Sequence, residues 1–340
     1  MTARVAPVPS PWASGLTRLL RAREAGTAAL VLLVFALATL KNHHFASGNS
    51  VQQLLVGASL IALLGVGETM VIVTRNIDLS VGSVLGLSAF VVGDLFRSQH
   101  IPVWSGFVIA IALGAAIGAI NGLITTVARV PSLVVTLATL YIFRGVDILI
   151  VGGKEVVASS LPSAFLDIPK ATVFGLPDLA IAIAVVIGIG AYYLRSFRSG
   201  RELYAIGSNP DAARLAGIPS GKRVFMAFMV SGAIAGVAGV LWAAQYGTVD
   251  STAGTGYELQ VISAVVVGGV AIFGGSGSAV GAALGALLLN TISSALYVLG
   301  ISPFWDQAIW GFLLIVAISV DRFISVRLTA ALRVRGARHE

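Results

Sequence analysis

The stretch Val51–Phe96, VQQLLVGASLIALLGVGETMVIVTRNIDLSVGSVLGLSAFVVGDLF, decides the fold. Its first part, Val51–Val73, holds a single charged side chain, Glu68, and is long enough to cross the ~30 Å hydrocarbon layer of a bilayer as a helix. A polar break follows, with Arg75, Asn76, Asp78 and Ser80, and a second apolar run begins at Val81. Two apolar runs joined by a short polar break describe consecutive membrane segments. A soluble domain has no interior that could absorb such runs repeatedly.

The rest of the chain repeats the pattern. It is 57% hydrophobic and 11% charged, with a mean hydropathy of +0.93, whereas soluble domains carry about 25% charge. Ten apolar segments stand between charged or turn-forming residues, approximately 26–40, 51–73, 81–96, 104–127, 132–150, 178–194, 224–246, 258–273, 279–297 and 305–321. The first, third and eighth are short for a full span and read as tilted helices or half-spans. A cleaved leader is the alternative for the first; retaining it makes the topology self-consistent. The expected fold is an all-α polytopic membrane protein of about ten transmembrane helices.

Charge placement orients the bundle. With the N-terminus in the cytoplasm, Lys and Arg divide 17 inside to 4 outside: only Lys41, Arg97, Lys154 and Lys170 fall outside, and Arg144 lies within a span. That bias places both termini in the cytoplasm. The reading divides the chain into a tail 1–25, a transmembrane domain 26–322 and a basic tail 323–340. The domain includes an external loop 151–177 and an internal loop 196–223. The net charge of +7 is scattered between apolar runs, not gathered on a face, so nucleic acid is not an expected partner.

Small residues recur at helix-packing intervals: Gly114, Gly118 and Gly122, then Gly232, Gly236 and Gly239. This spacing lets helix backbones approach closely inside a membrane. VGSVLG at 81–86 is echoed by VGAALG at 280–285, but six positions in a Gly/Ala/Val-rich chain read as coincidence.

The internal loop carries a helix of its own. Asn209 suits an N-cap and Pro210 the first turn. Asp211 faces the positive helix end, Arg214 lies toward the negative end, and Gly217 offers a left-handed stop. Between them Ala212, Ala213, Leu215 and Ala216 make a smooth surface. So short a helix is unstable alone, so something must pack on it. It is either a docking element for a cytosolic partner or a strut against its own bundle.

Four stretches together resemble the permease subunit of an ATP-binding-cassette importer, in the ribose-type sugar and autoinducer-2 branch. They are GETMVIVTRNIDLSVGSVLGL (67–87), PSLVVTLATLYIFRGV (131–146), GRELYAIGSNPDAARLAGI (200–218) and VISAVVVGGVAIFGGSGSAVGAALGALLLNTI (261–292). The resemblance implies that the 209–217 helix meets a cytosolic ATPase subunit. It also implies that two permease subunits pair, as homodimer or with a paralogue, and that an extracytoplasmic binding protein delivers substrate. The setting it implies is the bacterial inner membrane. The substrate it implies is monosaccharide-like: ribose, xylose, rhamnose or similar, or autoinducer-2. Branched-chain amino acids or nucleosides are the alternatives within this group, and an ion-coupled secondary transporter is the alternative outside it. The chain itself is expected to bind no cofactor, with ATP used by the partner. Its nearest approach to a phosphate-binding loop, GIPSGKR at 217–223, has three residues between its glycines instead of four and Arg223 where Ser or Thr is needed.

Ionisable groups inside spans are functional candidates by default. Glu68, Asn76, Asp78 and Ser80 either border the route, as discontinuous helices do, or cap the next helix. Arg144 and Asp147, three apart, are expected to form a structural pair. Asp250, Glu258 and Asp306 are expected in the outer interface. The four histidines show no metal-ligand spacing and no nucleophile arrangement. A cysteine introduced at Ala158 should be labelled by an impermeant maleimide from outside, and cysteines at Ser199 and Gly336 only from inside. Because the chain has no native cysteine, labelling of Ser199→Cys from outside would overturn the topology.

Overall fold

The computed structural model describes residues 13–302 and 304–336, with side chains from 24 to 323. The elements in chain order are α1 (Ala13–Lys41), α2 (Gly48–Ile72), α3 (Val81–Gln99), α4 (Val103–Thr126), α5 (Ser132–Val151) and α6 (Ser163–Leu166). A small hairpin follows, β1 (Thr172–Val173) with β2 (Leu176–Pro177), then α7 (Asp178–Ser196), α8 (Arg198–Ser208), α9 (Pro210–Leu215), α10 (Ser220–Tyr246), α11 (Tyr257–Val267), α12 (Ala279–Val298) and α13 (Trp305–Gly336). The ten apolar segments correspond to ten of these helices. Among the described residues, eight of them are long and apolar enough to cross a membrane. The chain is an all-α polytopic membrane protein.

Two expectations shift. The first and third segments are full-length helices, since α1 and α3 extend beyond their apolar cores. The eighth is a true half-span: α11 has 11 residues and rises about 16 Å, half the hydrocarbon thickness. Helix α1 also runs from Ala13 through the tail boundary at 25, and α13 continues past 322 to Gly336. Residues 1–12 of the N-terminal tail lie outside the described residues.

Helix α10 is the spine. Its glycines meet α4 backbone to backbone: a Cβ on Gly114 would lie 2.1 Å from Gly232 O, on Gly118 2.2 Å from Phe228 O, and on Gly236 2.1 Å from Ala110 O. Gly239 serves a different neighbour, since its Cβ would lie 2.3 Å from Leu85 O of α3. Ser231 packs against Gly67 of α2. Without a hydrophobic drive between helices in lipid, such approach is what joins them, because dispersion contacts grow only when backbones touch.

The half-span α11 is held at both ends by the two echoed motifs. At its start, a Cβ on Gly82 would collide with Gly254 O at 2.6 Å, and one on Gly86 with Ala253 O at 2.3 Å. At its end, a Cβ on Gly281 would collide with Gly268 O at 2.4 Å, and one on Gly285 with Ala264 O at 1.9 Å. VGSVLG and VGAALG therefore open α3 and α12 with the same small-xxx-small face, turned to opposite ends of one helix.

The 151–177 loop folds back onto the bundle. Phe165 is fully buried and packs on Phe96 at 4.9 Å between ring centroids. Val156 and Val249 exchange two backbone hydrogen bonds of 3.0 and 2.8 Å, which tie the loop to the segment after α10. Gly118→Val should strain the α4–α10 seam, an overpacking cost of about 1–3 kcal/mol. The thermal midpoint of the detergent-purified protein should fall, while Gly145→Ala, with open space around the new methyl, should leave it unchanged. Equal midpoints for the two variants would contradict the packing described.

Candidate coupling site and buried polar break

The break between α2 and α3 is built to satisfy its own backbone. Water is absent from a bilayer core, so N–H and C=O groups freed where a helix ends need protein partners. Glu68 Oε1 accepts from Asp78 N at 3.1 Å, and Asp78 Oδ1 accepts from Ser80 N at 3.0 Å and Ser80 Oγ at 2.6 Å. Ser132 of α5 accepts from Ile77 N at 3.2 Å, and Thr136 donates to Ile77 O at 3.1 Å. Asn121 of α4 donates to Ser80 Oγ at 2.8 Å.

Glu68, Asp78 and Ser80 are thus brought together and shut away from solvent, at 0%, 1% and 0% exposure. Asn76 stands apart, half-buried, donating to Thr74 O and Oγ1. Ser80 precedes α3 without a side-chain capping bond. Its hydroxyl is committed to Asp78 and Asn121, which sequence reasoning did not connect. Glu68 Oε2 and Asn121 Oδ1 are buried with no hydrogen-bond partner.

Arg144 and Asp147 approach at 3.7 Å. The shorter contact of Arg144 is elsewhere: Nη1 donates to Ala253 O at 2.6 Å, clamping the irregular segment that leads into α11. Asp147 is fully buried with no hydrogen bond to either carboxylate oxygen. Two of the three groups expected in the outer interface pack against protein. Asp306 is buried, and Glu258 Oε2 is buried without a hydrogen bond where α11 starts against Gly82. Glu258 as a whole is half-buried, and the turn from α10 into α11 sets only its Oε2 against α3. No apolar pattern announces that contact.

In the 196–223 loop, α9 is capped at both ends. Asn209 Oδ1 accepts from Ala212 N at 3.0 Å. Gly217 has φ +73°; its N–H bonds Arg214 O, and the Ile218 N–H bonds Ala213 O at 3.0 Å. That pair of bonds is a Schellman stop. Ala213 alone faces the bundle and is buried, whereas Pro210, Asp211, Ala212, Arg214 and Leu215 face outward, Leu215 at 88% exposure.

Sequence reasoning missed the helix before it. In α8 (Arg198–Ser208), Leu203 and Ile206 are buried on one face, and Glu202 is nearly so. Glu202 bonds Arg198 at 2.8 Å and Arg223 at 2.5 Å, pinning α8 to the start of α10. The bond from Arg223 foremost, with help from Arg198, holds the Glu202 carboxyl below the usual glutamate value of 4.5. The signal was present in GRELYAIG, whose Leu203, Ile206 and Gly207 fall at helical spacing.

At the opposite end of the bundle, a cleft of about 610 Å³ is lined by Asn49, Gln52, Gln53, Thr172, Gln245 and Tyr246, together with Lys170 and the apolar Val56, Pro169 and Pro177. Tyr246 packs on Trp242 at 4.6 Å between centroids, and Gln245 Oε1 is buried without a partner. Among the described residues, no group of His, Asp and Glu could hold a metal ion.

A bundle of apolar helices with a buried polar break, a cleft at one end and a capped helix pair at the other defines a multi-pass membrane transport protein. The chain belongs to the family described as the branched-chain amino acid transport system / permease component, which matches residues 50–318. It is 34% identical over 312 residues to an autoinducer 2 import system permease protein of Enterobacter sp. strain 638, covering 92% of this chain and 90% of the relative. It is 31% identical over 297 residues to a D-allose transport system permease protein of Escherichia coli K12, covering 87% and 90%. No solved structure matches the chain.

Because the folded-state carboxyl of Glu202 is depressed, its contribution is present above the unfolded value of 4.5 and lost as pH falls through the lower folded value. Glu202→Gln should therefore lower the thermal midpoint at neutral pH, and the gap to wild type should close as pH drops below 4.5. A gap that persists unchanged into acid would remove the ion pairs as its cause.

Proposed function

We propose that this chain is the membrane-spanning subunit of an ATP-binding-cassette importer, forming the route for a monosaccharide-like substrate and drawing its energy from a separate cytosolic ATPase. The observation that carries the reading is α9: a helix too short to stand alone, fixed by both caps and by Ala213, with Leu215 turned to solvent. A strut would bury its largest apolar side chain. A docking element presents it, and a groove in a partner would cover it.

The chain makes no nucleotide site of its own on this reading. Arg223, where a phosphate loop needs Ser or Thr, is engaged with Glu202, and ATP is bound by the partner. No cofactor is held by this subunit. A second permease copy or paralogue completes the route, a binding protein delivers substrate outside, and the complex sits in a bacterial inner membrane. The two relatives are named for autoinducer 2 and D-allose, and the amides in the mixed lining of the cleft, Asn49, Gln52, Gln53 and Gln245, can both donate to and accept from the hydroxyls of a monosaccharide-like ligand.

Leu215→Glu places a charge on the docking face without touching the bundle, so the chain should insert normally while recovery of the co-expressed ATPase falls at least about tenfold. Uptake by vesicles should fall with it, across a panel of ribose, xylose, rhamnose, D-allose, autoinducer 2, leucine and adenosine. Full ATPase recovery with this variant would reduce α9 to a strut, and uptake of leucine alone would overturn the sugar-like substrate.

A further inference from the structure

Three segments meet at one point, and Arg75 ties them. Its Nε donates to Gly207 O at 2.5 Å and its Nη2 to Ser208 O at 2.9 Å. These carbonyls end α8, where no further helical turn supplies donors and the helix dipole is negative. A planar guanidinium can hold both at once. To do so Arg75 adopts φ +68°, a left-handed conformation that non-glycine residues avoid.

The third segment is the glycine turn between α11 and α12. Gly275 N donates to Val73 O at 2.9 Å, and Tyr204 OH of α8 donates to Gly277 O at 2.9 Å. Contacts here leave no slack: a Cβ on Gly207 would lie 1.8 Å from Val73 O and 2.6 Å from Gly275 N. A Cβ on Gly274 would lie 2.6 Å from Arg75 Cγ. The residue after Ser208 is Asn209, the cap of α9. Three residues beyond Arg75 lies Asp78, bonded to Glu68 inside the bundle.

We propose that Arg75 is the positioning residue that passes movement of the α8–α9 pair to the α2–α3 break and to the turn joining half-span α11 to α12. The inference rests on the docking of an ATPase at α9. Close-packed backbone cannot absorb a shift by bending side chains, so displacement of the α8 end has to move Val73, Arg75 and the glycine turn together. A surface charge on a long side chain would do none of this. The fork converts a contact between two loops into a rigid joint.

The test uses the assembled complex with its ATPase and a single cysteine, Asn76→Cys, beside the joint. Maleimide labelling is compared without nucleotide and with ATP plus vanadate. In the otherwise unchanged chain the labelling rate should differ at least about threefold between the two states. Adding Arg75→Gln should abolish the difference while the ATPase still co-purifies in normal amount. Arg75→Lys, which keeps the charge but not the fork, should leave a reduced difference. The same threefold difference with either substitution would overturn the proposal, as would no difference in the unsubstituted chain. Should Arg75→Gln not assemble, Arg75→Lys decides alone. A complex that never recovers an ATPase would instead overturn the docking reading on which the proposal stands.

Discussion

Where a helix ends inside a bilayer, its backbone polar groups have no water to turn to, and this constraint organises the structure. The chain leaves regular helix around 73–80, 247–256 and 268–278, where buried backbone groups likewise need protein partners. At each place side chains or neighbouring backbone take up the freed groups. Glu68, Ser132 and Thr136 serve the first, Arg144 serves the second at Ala253, and Val73 O accepts Gly275 N at the third. The buried acid Glu68 is thereby part of the scaffold whatever else it does, because its carboxylate replaces a missing turn of helix.

A second requirement follows from the first. Irregular segments can be served by neighbours only if those neighbours come very close, and glycine permits it. Helix α10 touches α4 through Gly232 and Gly236 and α3 through Gly239. The paired faces of α3 and α12 then hold α11 at both ends. Larger side chains would move these backbones apart by more than a hydrogen bond can stretch.

In the 196–223 loop the arrangement inverts. The α8–α9 pair is fastened by charge, with Glu202 between two arginines and α8's last carbonyls on Arg75, and only a few apolar side chains hold it down. Such an attachment is specific in direction, yet leaves an apolar residue, Leu215, uncovered among the described residues.

The linear sequence determined what depends on composition and local order. Ten apolar segments became ten helices, and the 209–217 helix had the caps its residues implied, because both follow from near neighbours along the chain. Tertiary structure alone decided which residues meet. That Ser80 bonds Asn121, that Arg144 reaches Ala253 more closely than Asp147, and that Glu258 Oε2 is buried against Gly82 all involve partners from separate elements. The role of Arg75 was equally hidden, since its partners lie 132 and 133 residues away. Hydrophobic periodicity reports whether a residue faces lipid or protein. The hydrogen-bonding partner of a buried polar group is fixed by how separate helices cross, and that is set by packing across the whole bundle.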